Sequence, residues 1–174
     1  LWRGTHVLSG PIDVHGFGPS ESNATLSGYV TKLGIVDGFT ATLNLTNATL
    51  SPQAKTFDKL TLTNTLLITD EDLSSAGLFK WQTFTNLRGV GGQGSLTALG
   101  GTEINANRDV YMSQGFQFIN PADQTLKSKA GTLWMDQHSI FHNEGTWELL
   151  TDGVIITSND NLSEVHNTGT IIKT

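Results

Sequence analysis

Phe141-His142-Asn143-Glu144-Gly145-Thr146-Trp147 returns 24 residues later as Val165-His166-Asn167-Thr168-Gly169-Thr170-Ile171. The shared frame is apolar-His-Asn-x-Gly-Thr-apolar. A partial copy, Phe118-Ile119-Asn120, lies 23 residues before the first. A period of this length suits one coil of a β-helix, in which two or three short strands alternate with tight bends. Each coil buries its apolar face only by stacking on its neighbour, about 4.8 Å away. The spacing therefore predicts a ladder of Asn120, Asn143 and Asn167, whose amides hydrogen-bond along the axis as in cross-β stacks. It places His166 under His142. It puts Gly145 and Gly169 at a bend where the backbone needs a positive φ.

Looser copies run toward the N-terminus: Leu45-Thr46-Asn47-Ala48-Thr49-Leu50, Leu62-Thr63-Asn64-Thr65-Leu66 and Phe84-Thr85-Asn86-Leu87. If all 174 residues are solenoid, the period implies about seven to eight coils of about 22–24 residues. Short strand-like runs fit this frame: Ala41–Leu45, Lys59–Leu62, Leu66–Thr69, Leu78–Trp81, Ser95–Leu99, Asp109–Met112, Phe116–Ile119, Thr132–Met135, Ser139–His142, Thr146–Leu150, Val154–Thr157 and Thr170–Lys173. Gly, Asn, Asp and Ser clusters separate them. Asp70–Ala76 is expected to make one helical turn. The block Arg88–Gly94 reads as a tight bend between coils. It lacks the Lys-Ser/Thr and the following helix that a phosphate-binding loop needs. Residues 1–40 are less regular and are expected to form a cap or atypical coils of the same domain, 1–174.

Composition points the same way. Only 15% of residues are charged, against about 25% in ordinary soluble domains. The 24 Thr favour pleated surfaces over helices. A surface rich in Thr, Ser and Asn and poor in Lys and Glu suits a secreted or cell-surface β protein. With no Cys there is neither a disulfide framework nor thiol chemistry. A net charge of −6 offers no basic stripe for nucleic acid. No apolar run approaches the roughly 18 residues of a membrane helix, so membrane insertion is not expected. The chain opens on Leu1-Trp2 and stops at Ile172-Lys173-Thr174, within a strand-like run. It is therefore read as a fragment of a longer repeat protein.

From Ala76 to Thr174 the chain resembles the repeat regions of large bacterial surface β-helix proteins of the adhesin and hemagglutinin type. The matching pieces are Ala76-Gly77-Leu78-Phe79-Lys80-Trp81, Gly92-Gln93-Gly94-Ser95-Leu96, Gly131-Thr132-Leu133-Trp134 and the two His-Asn-x-Gly-Thr units. The resemblance implies an all-β, right-handed parallel β-helix on a secreted or cell-surface protein, with no shared catalytic residues.

The candidates for chemistry are few. His138, His142 and Glu144 would share one face of an unbroken strand. With His166 stacked below, they could ligate a transition metal. Asp70 and Asp72 could supply oxygen ligands to Ca²⁺; no other cofactor is expected. Trp81, Trp134 and Trp147 recur at coil-like positions and could stack on sugar rings. Asn23, Asn44, Asn47 and Asn161 begin sequons that matter only in a eukaryotic secretory context. No catalytic set converges in the sequence. The expected role is a non-catalytic structural or adhesive module that meets glycans, cell-surface partners, neighbouring repeats or copies of itself. The alternatives are a carbohydrate-active module that binds or cleaves polysaccharide and, third, an ice-binding solenoid with a Thr ladder.

Overall fold

In a computed structural model the chain winds as a β-solenoid of stacked parallel strands, with no helix among the described residues. Backbone is described for 4–8, 12–17, 22–26, 28–39, 42–44, 48–50, 55–57, 59–63, 66–152, 155–157 and 162–174. Side chains are described for 55–57, 60–63, 66–152 and 162–174.

The first six strands are β1 (Gly4–Leu8), β2 (Ile12–Phe17), β3 (Ser22–Leu26), β4 (Gly28–Phe39), β5 (Thr42–Asn44) and β6 (Ala48–Leu50). They pair in parallel within the same large sheet as the later coils. Gly4 lies opposite Ser22 and Ala24 opposite Leu43, so these coils advance by only 18 and 19 residues. A coil then forms from β7 (Thr56–Phe57), β8 (Lys59–Leu62) and β9 (Leu66–Ile68). The next has β10 (Asp72–Ser75), β11 (Phe79–Gln82) and β12 (Asn86–Arg88). It is followed by β13 (Ser95–Ala98) with β14 (Thr102–Ser113), and by β15 (Gln117–Asn120) with β16 (Thr125–Met135). The last are β17 (Ile140–Asn143), β18 (Thr146–Leu149) and β19 (Ile155–Thr157), then β20 (Glu164–Asn167) and β21 (Thr170–Lys173).

Each coil from Thr56 onward has three sides. The asparagine side is the sheet β7-β10-β13-β15-β17-β20. The charged side runs β8-β11-β14-β16-β18-β21, through the first parts of β14 and β16. The aromatic side runs β9-β12-β14-β16-β19, through their second parts. About four turns of the anticipated length stack here, with Asp72 and Ser95 separated by 23 residues and Asn143 and Asn167 by 24. Seven to eight equal coils do not form. Short connections shrink the earlier ones, so that Thr56 and Ser74, partners in register, are only 18 residues apart.

Why these residues form strands is visible in their alternation. On β11, Phe79 and Trp81 are buried while Lys80 and Gln82 face outward. On β15, Phe118 and Asn120 point in and Gln117 and Ile119 point out. This period of two is what a pleated strand imposes. The inward rings meet in the core: Phe118 stacks on Phe141 of the next coil at 5.3 Å between centroids, and Phe141 meets Trp147 of its own coil at 4.8 Å. Trp81 approaches Phe118 at 5.6 Å. Such pairs add about 0.5–1.5 kcal/mol each beyond the area they bury.

Three local expectations change. Asp70–Ala76 makes no helical turn; Asp72–Ser75 is strand β10, because Leu73 and Ser75 are buried in alternation against β13. The runs at Asp109–Met112 and Thr132–Met135 are the far ends of the long strands β14 and β16, which continue round a corner through register shifts at Ile104–Asp109. Gly145 and Gly169 do not adopt positive φ. Their role is close approach: a Cβ on Gly145 would fall on the Pro121 and Gln124 carbonyl oxygens, and one on Gly169 would fall on the Gly145 oxygen. The Gly-rich block does form a bend: Val90 and Gln93 bridge each other across Gly91 and Gly92, at φ 61° and 78°.

Candidate functional site

The asparagine side carries a ladder. Asn120 Nδ2 donates to Asn143 Oδ1 at 2.7 Å, and Asn143 Nδ2 donates to Asn167 Oδ1 at 2.6 Å. The same amides reach the carbonyls of Thr146 and Thr170 at the next corner. Asn120 and Asn143 are fully buried, so satisfied amides matter here; a stranded buried polar group costs about 1–3 kcal/mol. The ladder ends at Ala98, which occupies the next position in the column and offers no donor. Asn120 Oδ1 accordingly has no partner.

Outside that column, His142 lies opposite His166, with ring centroids 5.1 Å apart and edge to face. His142 Nε2 lies 3.3 Å from Gln117 Oε1, and His166 pairs with Glu164. Burial, then the neighbouring His166, lower the His142 pKa from its ordinary value, against an opposing pull from Glu144. His138 does not join them. It sits in the turn before β17 at φ 64°, so the unbroken strand needed for a shared face is absent. Among the described residues no three His, Asp or Glu side chains group as metal ligands. Asp72 accepts from Ser95 Oγ at 2.7 Å, and with Asp70 it lines a shallow polar depression beside Gln93 and Gln117.

The charged side holds a second column that the sequence reading missed. Lys80, Glu103, Lys127 and Glu148 lie in successive register. Lys127 pairs with Glu148 at 3.4 Å, and the flanking Lys129 reaches Glu103 at 2.6 Å. Opposite charges directly across strands stabilise a sheet and like charges weaken it, so the alternation also disfavours slippage by one coil.

Of the three tryptophans proposed to meet sugars, two are withdrawn into the core. Trp81 is fully buried, and Trp147 is 2% exposed with its Nε1 donating to Ser128 Oγ at 2.9 Å. Both occupy inward positions of their strands, which leaves no ring face for a ligand. Trp134 is half-buried on the outward face of the aromatic side, opposite Tyr111, with its Nε1 shielded and without a partner. Asn23 and Asn44 lie on β3 and β5, whose side chains are not described, and Asn47 and Asn161 fall outside the described residues.

At the corner between the charged and aromatic sides an exposed ring meets an exposed cation. Phe84 is 45% exposed and adopts φ 56°. For a residue other than Gly this left-handed conformation costs about 1–2 kcal/mol. Three hydrogen bonds hold it: Phe84 N–H to Asp109 O at 2.8 Å, Tyr111 N–H to Thr85 O at 2.8 Å, and the buried Thr85 hydroxyl to Leu62 O at 3.0 Å. Asn107 N–H donates to Thr83 Oγ1 at 2.9 Å. Above the ring lies the Arg108 guanidinium, 5.6 Å from the centroid. Tyr111 OH donates to Asp109 Oδ2 at 3.3 Å. Burial and then the Asp109 charge raise the Tyr111 pKa, and Arg108 opposes them. Phe84, Arg108, Asp109, Tyr111 and Trp134 thus form one strip across three successive coils. No positional motif announced Phe84 or Arg108; the only cue was a bulky residue inside the Gln82–Thr85 turn.

Comparison with known proteins finds no matching family model, no matching curated protein and no matching solved structure. The fold and the local chemistry are what describe this chain.

Proposed function

We propose that this chain is a non-catalytic structural and adhesive module of a secreted or cell-surface protein, of the adhesin type whose repeats it resembles. The observation that carries this reading is how its polar side chains are used. Asn, Lys, Glu and His residues that could do chemistry are arranged in columns that tie coil to coil. Such columns stiffen a stack. They do not converge on a point where a substrate could react.

A second reading, a carbohydrate-binding module, is favoured by the strip of Phe84, Arg108, Tyr111 and Trp134. An exposed ring offers a face to the apolar side of a sugar, and the charged groups beside it can bond its hydroxyls. The ice-binding reading has one short Thr column, Thr125, Thr146 and Thr170, in its favour, but the outward column Thr56, Ser74, Thr97, Ile119, His142 does not repeat Thr. A glycan array combined with a reducing-sugar assay separates the readings. Binding without release of reducing ends is the expected result. Turnover of a polysaccharide would overturn the non-catalytic reading.

A further inference from the structure

We infer that the corner built by Phe84 and Arg108 is a binding site for a carboxylated sugar, such as a uronic acid unit of an acidic polysaccharide. The inference rests on the carbohydrate-binding reading and gives it a place and a ligand class. Three observations carry it.

The first is conformational. Phe84 combines a left-handed backbone with 45% exposure. Asn or Gly would hold this turn with less strain, and a polar residue would suit its exposure better. Backbone hydrogen bonds to the next coil hold the turn, and the side chain's one ring contact is with the Arg108 guanidinium among the described residues. A strained and exposed aromatic ring is a feature to be explained by what it touches.

The second is electrostatic. Arg108 is exposed, and among the described residues its guanidinium has no carboxylate partner. Lys55, Lys127, Lys129 and Lys173 are each paired with an acid; Arg88 bonds the Gln114 amide, and Lys80 is the other described cation without an acid partner. In a chain of net charge −6 an unpaired cation fixed against a ring is conspicuous. A planar guanidinium presents a fork that matches a carboxylate in bidentate geometry.

The third concerns the surroundings. Asn105 and Asn107 are exposed on the same coil as Arg108 and present amides suited to hydroxyl groups. Together the group offers a ring for the apolar face of a sugar, a cation for its carboxylate and amides for its hydroxyls. Net negative charge and a single arginine argue against a densely charged polyanion such as nucleic acid, which needs a basic stripe. They suit a ligand whose carboxylates are spaced along a hydroxyl-rich chain.

The test uses oligogalacturonate and its fully methyl-esterified counterpart, which keeps the sugar and removes the charge. Calorimetric titration of the whole chain is expected to show the acid binding at least about tenfold more tightly than the ester, as expected for a charge-assisted bidentate pair. Arg108→Gln should abolish that preference, and Phe84→Asn should weaken binding of both forms. Lys80→Gln, on the charged side, should leave both unchanged. Thermal melting of each variant checks that the stack persists. Equal binding of acid and ester, or a preference that survives Arg108→Gln, would overturn this site while leaving the carbohydrate-binding reading intact. No binding to either probe, with binding to other glycans on the array, would likewise overturn the site alone. No binding to any glycan would overturn both.

Discussion

The ladder at Asn120, Asn143 and Asn167 and the corner at Phe84 and Arg108 belong to one solenoid but follow opposite rules. At the ladder the same residue recurs on three coils, each amide is met by the one below, and the two inner rungs are sealed from water. At the corner the residues change from coil to coil, the backbone is strained, and a ring and a cation stand exposed. The contrast teaches how to read a repeat. What the period enforces is stacking, and what departs from the period at a structural penalty is where recognition is to be sought.

Asn143→Ala should have the largest effect. It removes two rungs at once and leaves the buried Asn120 amide only the Thr146 carbonyl, at a cost of about 3 kcal/mol measured by the urea midpoint. A loss below about 0.5 kcal/mol would mean that the ladder is ornamental. Gly145→Ala should follow, at about 2 kcal/mol, because its Cβ meets backbone oxygens of the neighbouring coil that can yield only by separating the coils. At the corner the sign reverses. Phe84→Asn should stabilise the fold by about 1 kcal/mol, since Asn tolerates the left-handed turn and the exposed ring is gone. A destabilising result would mean that the ring is held for packing, and the contrast between ladder and corner would fail.

Smaller effects probe the other columns. Lys127→Glu places three acids in consecutive register with Glu103 and Glu148 and should destabilise by about 0.5 kcal/mol at low salt, less at high salt. The smallest effect concerns His142. Its pKa is lowered in the folded state, so the unfolded chain binds the proton more readily. Its contribution is present above the ordinary histidine value and is lost as pH falls through the lowered one. Melting temperature should therefore drop modestly from pH 7 to pH 5, and His142→Gln should flatten part of that slope.

Much of the fold was legible because a β-solenoid repeats itself. The Phe141–Trp147 and Val165–Ile171 units give the coil length, the register and the ladder directly, and Thr170–Lys173 forms strand β21 within the bounds read from its β-branched run. On the charged side β8, β11, β18 and β21 match runs read from the sequence, and only the first parts of β14 and β16 were harder to see. Thr102–Ser113 alternates buried Thr102, Ile104 and Ala106 with Glu103, Asn105 and Asn107, a period of two diluted by small and polar residues. Gly145 was recognised as special for the wrong reason, because sequence reveals that a Cβ is absent but not whether a dihedral or a neighbouring coil demands it. Burial of Trp81 and Trp147 depended on strand phase: one residue of shift exchanges the inward and outward faces. Of the Phe84–Arg108 corner only a bulky residue in a turn was legible. The two residues are distant in sequence, and only the stacking of successive coils brings guanidinium and ring together.

The central claim is that these coils stack in register and seal the asparagine ladder between them. The most direct measurement is hydrogen exchange of the side-chain carboxamides by NMR. The account predicts slow exchange at Asn120 and Asn143, whose amides donate to the next rung inside the stack, and fast exchange at exposed Asn107 and Asn167. Exchange at Asn120 and Asn143 as rapid as at Asn107 would contradict it.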